Sequence, residues 1–377
     1  MGLRRLLLPL IGVALVVAAC TTAQEAEDTA TTVPAGQTDT TEAVTDEPGV
    51  AEGSVLAAVQ ARGSVICGVN DAVPGFGFVD ADGNFSGFDI DFCRALGAAV
   101  FGDAEAVEFR PLTAQQRFTA LQSGEVDVLI RNTTWTASRD GGEGATFLTT
   151  TFYDGQGMMV RADSGFATIE DMTDTAVCVL SGTTTELNLA TRMAGIAHTP
   201  LTFEDNEQLQ AAFLAGQCQG WTSDKSQLAG VRSAFPEAEG GPEALVVLEE
   251  TFSKEPLGPV VRDGDSQWAQ IVDWVVIATI QAEEFGIDST NANNYTGDDL
   301  GIKRLLGQPI PTDDGTEAVF DPGLGLPTDF AVQVVSQVGN YAEIYDRNVG
   351  PDTALGLERG VNALWTEGGL HYPPPYR

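Results

Sequence analysis

Two well-separated stretches of this chain carry the same order of elements, and that repetition restricts the possible folds more than any other feature. The first opens on the apolar run Val65-Ile66-Cys67-Gly68-Val69, which reads as a strand, and passes into a polar, Gly/Pro-rich loop from Asn70 to Gly77. Phe88, Phe92, Leu96 and Val100 then recur at every fourth position with Cys93 on the same side, which predicts a helix. A second helix is expected from Thr113, where Gln116 completes a capping-box spacing, through Phe118 and Leu121 to a stop near Gly124. Val126-Asp127-Val128-Leu129-Ile130 reads as a buried strand that exits into Arg131-Asn132-Thr133-Thr134-Trp135. The second stretch repeats this plan. Ala176 to Leu180 reads as a strand, and Ser181 to Glu186 leads into a helix with another capping-box spacing, Thr183 to Glu186. A helix from about Glu207 stops at Gly216, and the strand Cys218 to Trp221 exits into Thr222-Ser223-Asp224-Lys225.

Strands alternating with helices imply parallel sheets, here in two α/β lobes. The segments 152–160 and 251–260 flank the second stretch and mix strand formers with Gly or Pro, so they read as two antiparallel hinge strands. The resulting division is 55–153 for lobe 1, 154–253 for lobe 2, and 254–377 for a return to lobe 1 with C-terminal helices. One of these runs from Gln267 to Glu284, with Trp268, Ile271, Val275 and Ala278 on one face. Another amphipathic helix is expected over about Asp329 to Tyr345. In open α/β sheets a ligand sits beyond the carboxyl ends of the strands. Four strand exits rich in hydrogen-bonding groups, 70–77, 131–139, 181–186 and 222–225, come two from each lobe and would converge on one cleft.

The N-terminus sets the compartment. Arg4 and Arg5 precede an apolar run from Leu6 to Ala19, too short to span a bilayer, which takes roughly 20 residues. This marks 1–19 as a secretory leader. Its end, Val17-Ala18-Ala19-Cys20, resembles the bacterial lipobox, in which the cysteine becomes the lipidated N-terminus. Residues 21–54 hold eight acidic residues, no basic ones and no aromatics, so 20–54 reads as a lipidated cysteine followed by a disordered tether. Such a tether reaches roughly 30–35 Å r.m.s.. An exported protein with Cys67, Cys93, Cys178 and Cys218 beyond the leader favours disulfides, and four cysteines allow three connectivities. The two-lobe plan favours Cys67–Cys93 and Cys178–Cys218, one clip in each lobe; buried free thiols are the alternative. With no CxxC pair and only His198 and His371, a metal site is not expected, and no cofactor is implied. A formal net charge of −35 excludes phosphate-driven nucleic-acid binding.

Several long runs are similar to one known family: ICGVN (66–70), GFDIDFCRALGAAV (87–100), LTAQQRFTALQSGEVDVLIRNTTWTASRD (112–140), YDGQGMMV (153–160), SGTTTELNLA (181–190), SKEPLGPVVRDGD (253–265) and GGLHYPPPYR (368–377). The chain resembles the general amino-acid-binding proteins of polar amino-acid ABC importers, over about 55–377. The resemblance implies a two-lobed Venus-flytrap of the type II periplasmic-binding-protein fold. It implies a monomer that closes on a free L-amino acid and docks on ABC permease subunits, not an enzyme. Arg139 matches the arginine that clamps the ligand carboxylate, for which a guanidinium offers two parallel donors. Asp224 matches the acid that holds the ammonium. Thr134 and the backbone at Asn132 match the lobe 1 contact loop. Thr183 and Thr184 match the lobe 2 contribution at a helix N-terminus, where free N–H groups favour an anion. Asn70 stands where narrower members carry an acid for cationic side chains, which argues against a strictly basic ligand. Trp135, Phe76 and Phe78 are candidate side-chain walls. Plain structural roles compete at each position: ion pairing for Arg139, helix capping for Asp224 and Thr183, core packing for Trp135. Two other functions use the same fold, an amino-acid sensor signalling to a membrane receptor and a dehydratase-type enzyme. The second needs a placed acid and base, and neither histidine stands at a strand exit.

Overall fold

A computed structural model describes residues 54–377. The leader, Cys20 and the tether up to residue 53 lie outside the described residues.

Two five-stranded sheets carry the fold. The first runs in the order Val107–Pro111, Val65–Val69, Val128–Leu129, Val260–Arg262, Ala145–Phe147. The second runs His198–Phe203, Thr175–Leu180, Gly220–Asp224, Gln156–Arg161, Leu245–Val247. Each has a parallel trio on one side, completed by antiparallel strands on the other. The duplicated sequence plan therefore becomes a duplicated topology. The parallel trios need crossover helices, and those helices are the ones that the period of four over 88–100 and the capping and glycine-stop signals elsewhere mark.

Two short strands, Phe152–Asp154 and Glu255–Leu257, pair antiparallel between the sheets. The expected hinge segments are broken up. The first bends at Gly155 and continues as Gln156–Arg161 inside the second sheet, and only three residues of each segment form the connecting pair.

The largest apolar core lies on the first sheet. Helices Phe88–Phe101, Ser266–Glu284 and Phe330–Val338 pack there. Smaller cores cover the other face of this sheet, under Arg117–Ser123, and both faces of the second sheet. Both disulfides are present. Cys67–Cys93 ties strand Val65–Val69 of the first sheet to helix Phe88–Phe101, and Cys178–Cys218 clips the second sheet. The amphipathic helix expected over 329–345 is two helices, Phe330–Val338 and Tyr341–Asn348. Gly339 at φ 102° leaves helical space, and Asn340 starts the second helix through a capping box with Glu343. Among the described residues no helix is long and apolar enough to cross a membrane, and no cluster of side chains suits a metal ion.

Candidate functional site

The carboxyl ends of both parallel trios meet between the sheets. From the first sheet comes the loop after Val128–Leu129, with Asn132 as its hub. Its backbone sits at φ 32°, a left-handed conformation that asparagine tolerates better than most residues. Its N–H donates to Asp89 Oδ2 at 2.7 Å, and its Oδ1 accepts from Asn70 Nδ2 at 2.6 Å. Its Nδ2 donates across the cleft to Asp224 Oδ2 at 3.1 Å and Gln227 Oε1 at 3.3 Å.

Asp224 ends the fully buried strand Gly220–Asp224. It occupies the N-cap position of helix Lys225–Ser233 yet makes no capping bond. Its Oδ1 is buried without a partner. Burial, then the neighbouring Asp154 and Glu255 charges, hold its carboxyl well above the usual carboxylate range. Burial likewise lifts Asp154 to about 6.

Opposite this acidic pole stand three buried guanidiniums, Arg117, Arg131 and Arg139. Arg139 is placed by helix Ala137–Gly142, which Thr136 caps through the Arg139 N–H. It donates from Nη1 to Thr134 O at 3.0 Å and from Nη2 to Gly182 O at 3.4 Å. Arg117 reaches the same Gly182 carbonyl at 3.5 Å, and its Nε has no partner. Both guanidiniums lie over the Phe118 ring, at 5.3 and 5.6 Å from its centroid. Arg131 donates from Nε to Leu112 O at 2.6 Å. Among the described residues none of the three forms an ion pair with a carboxylate. Burial lowers the pKa of each, that of Arg131 to about 10, and the positive neighbours depress Arg117 further. Three desolvated cations so placed favour an anion among them.

The second sheet contributes helix Thr184–Arg192. Thr183 caps it, accepting from Glu186 N–H at 3.1 Å and donating to Leu180 O at 2.6 Å. Thr184 donates to Glu255 Oε2 at 2.8 Å and lies 3.4 Å from the Thr134 hydroxyl across the cleft. Gly182 sits at φ 72°, a left-handed conformation that glycine adopts freely, and a Cβ there would also lie 2.9 Å from the Gln115 side chain across the cleft.

These groups enclose a cavity of about 20 Å³, roughly the space of one water. Of the residues read from sequence, Asn132, Thr134, Thr183, Thr184 and Asp224 line it. Asn70 bonds to Asn132 and lines a larger adjoining cavity. Arg139 stands behind Thr134 and lines neither cavity. Trp135 also lines neither; it is 42% exposed and stacks on Phe147. Phe76 is packed in the core with Phe88 and Phe152, and Phe78 is exposed. Arg117, Asn206 and Gln227 line the inner cavity and were not singled out by the sequence reading. Arg117 carried a signal there: it is the one cation in helix Arg117–Ser123 and is buried together with Phe118, Ala120 and Leu121.

Residues 65–286 match the family model described as bacterial extracellular solute-binding proteins, family 3. The chain is 46% identical over 330 residues to the general L-amino acid-binding periplasmic protein AapJ of Rhizobium johnstonii, covering 87% of this chain and 94% of that protein. It is 44% identical over 333 residues to the glutamate/glutamine/aspartate/asparagine-binding protein BztA of Rhodobacter capsulatus, covering 87% of this chain and 95% of that one. Among solved structures, an ABC transporter/periplasmic binding protein from Brucella ovis with glutathione bound superposes with a TM-score of 0.80 at 44% identity, covering 86% of this chain and 99% of the other. These relatives are binding proteins, not enzymes. Duplicated sheets, a cleft between them and similarity along nearly the whole described chain agree: the chain belongs to the bacterial extracellular solute-binding proteins, family 3.

Proposed function

We propose that this protein captures one free L-amino acid between its two sheets and delivers it to the permease of an ABC importer. One observation carries the reading: a single buried site holds unpaired guanidiniums at one pole and a buried, half-satisfied carboxylate at the other. That arrangement complements a zwitterion. The ligand carboxylate would take donors from Arg139 and Arg117 in place of the Gly182 carbonyl, helped by the N–H groups at Thr184 and Thr185. The ligand ammonium would lie against Asp224, with Asn132 and Thr134 closing from the first sheet. An inner cavity of about 20 Å³ is smaller than an amino acid, so loading requires the sheets to part about the hinge pair. The moving bodies would be 55–153 with 254–377, and 154–253. The relatives named as amino-acid-binding proteins support the ligand class.

Calorimetric or thermal-shift titration with the common L-amino acids tests this. Micromolar binding, about −8 kcal/mol, is expected for at least one. Arg139→Ala and Arg117→Ala should each cost tenfold or more, and Asp224→Asn a comparable loss. Absence of binding by every amino acid would overturn the reading. We further propose that Cys20 carries the lipid anchor, giving a protein tethered to the outer face of the cytoplasmic membrane. Fatty-acid labelling that persists in Cys20→Ser would refute that.

A further inference from the structure

The strand Phe152–Asp154 carries the chain from the first sheet to the second, and its middle residue is held by a segment outside the 65–286 family match. Tyr153 stands opposite Pro256, which has no N–H, and the Pro256 carbonyl accepts from the Trp135 N–H instead. Both backbone groups of Tyr153 are left on the free edge of the hinge pair, and Asn362 takes them both. Its Oδ1 accepts from Tyr153 N–H at 2.7 Å, and its Nδ2 donates to Tyr153 O at 3.1 Å. A buried side-chain amide thus satisfies the strand edge as a neighbouring strand would.

Asn362 is itself fixed to the body of the first sheet. Arg359 donates from Nε to Asn362 O at 3.1 Å and from Nη2 to both Glu283 oxygens at 3.0 and 3.1 Å. Its guanidinium carbon lies 5.0 Å from the centroids of the Tyr341 and Tyr345 rings. The His371 ring packs against Tyr341 and Tyr153, at 4.3 and 5.3 Å between centroids. Tyr341 donates to Thr151 O at 2.8 Å, and Phe152 stacks on Tyr345. Directly after Tyr153 the attachments change side. Asp154 Oδ2 accepts from Ser226 N–H at 3.2 Å, and Gly155 O accepts from Lys225 N–H at 2.9 Å. Both donors open the helix that follows Asp224. The chain therefore passes from one body to the other between Tyr153 and Gly155.

We propose that Asn362 is a positioning residue for ligand capture, acting through Tyr153. By clamping Tyr153 to the first body it confines the parting of the sheets to a bend at Asp154 and Gly155, so that closure returns Asp224 to one place. The inference rests on the amino-acid reading above and adds to it a residue that lines neither cavity between the sheets. Without the clamp the unliganded protein samples more open arrangements, and apparent affinity falls with the fraction able to close.

The test is titration calorimetry of the intact protein with the L-amino acids that wild type binds. Asn362→Ala removes both hydrogen bonds. Asn362→Asp keeps the acceptor for Tyr153 N–H and loses the donor to Tyr153 O. At a temperature where melting curves show the variant folded, Asn362→Ala should weaken every amino acid by one common factor. That factor should be roughly five to thirty, the range set by one to two net hydrogen bonds. Hydrogen exchange in the unliganded variant should quicken at the Lys225 and Ser226 amides and stay unchanged in strand Val65–Val69. A folded variant with wild-type affinities would overturn the proposal, because Asn362 would then support the fold alone. A loss that differs from one amino acid to the next would overturn it too. If Asn362→Ala does not fold, Asn362→Asp decides by the same outcomes. Absence of binding by wild type itself would overturn the amino-acid reading and this inference with it.

Discussion

Asp89 lies one residue inside helix Phe88–Phe101, buried, with its carboxylate on the Asn132 N–H. Burial outweighs both that hydrogen bond and the nearby Arg131, and its carboxyl titrates at about 7 instead of 3.8. Between those two values the folded state keeps a proton that the unfolded state has released. Stability therefore falls as pH rises through the window, and the full loss, at most about 4 kcal/mol, is present above pH 7. Asp89→Asn keeps an acceptor for Asn132 and removes the titration. Its stability relative to wild type should climb steadily from pH 4 to pH 7 in urea unfolding. A constant offset between the two curves would show that Asp89 is charged throughout. Asp89 and Arg117 illustrate which residues a periodicity reading passes over. Phe88, Phe92 and Phe118 announce their helices, and a buried charge between them looks like a solvated face until the tertiary partners are known. Asp224 was easier to find because it stands where a strand ends, and strand ends are set by local sequence.

At the scale of elements, the two disulfides close loops separated by 26 and 40 residues. Chain-entropy estimates put their contributions at about 3.5 and about 4 kcal/mol. Cys67→Ser/Cys93→Ser and Cys178→Ser/Cys218→Ser should each lower the unfolding free energy by roughly that amount. Thiol labelling of the unfolded, unreduced protein should leave all four cysteines unlabelled, and any labelling at these positions would refute the pairing. The inner strands were legible because Val65–Val69, Val126–Ile130 and Ala176–Leu180 are apolar runs; the partly exposed edge strands Val107–Pro111 and His198–Phe203 are not, and the reading passes over them. Three further features were not legible. Helix Phe88–Phe101 is buried almost all round, since helices Ser266–Glu284 and Phe330–Val338 cover the side away from the sheet, and period four marks only one face. The break at Gly339 hides inside a continuous amphipathic pattern, because Tyr341, Ile344 and Tyr345 resume the apolar face directly after it. The hinge segments read as whole strands, while the turn at Gly155 divides one between two sheets.

For the whole molecule, the described arrangement is a closed one, bridged by a few hydrogen bonds between the sheets. Most involve groups assigned here to the ligand: Asn132 with Asp224 and Gln227, Thr134 with Thr184, and Arg117 and Arg139 with Gly182. Beside the hinge pair, Asn188 Nδ2 donates to Glu255 Oε1 at 2.9 Å. At the rim, Gln115 Nε2 donates to Ser181 Oγ at 2.9 Å from outside both cavities, so it bears on closure and not on ligand contact. A ligand that binds only the closed form has an apparent affinity scaled by the fraction of protein closed. A hydrogen bond of this kind contributes about 1 kcal/mol net, which sets a limit of about fivefold on that fraction. Gln115→Ala should therefore weaken every amino acid by one common factor of up to about five, leaving their order unchanged. Small-angle scattering of the unliganded variant should show no smaller radius of gyration than wild type, and saturating ligand should bring both to the same value. A factor that differs from one amino acid to the next would place Gln115 in contact with ligand. An unchanged set of affinities would mean that closure is governed entirely by the buried poles, with the rim contact following and not contributing.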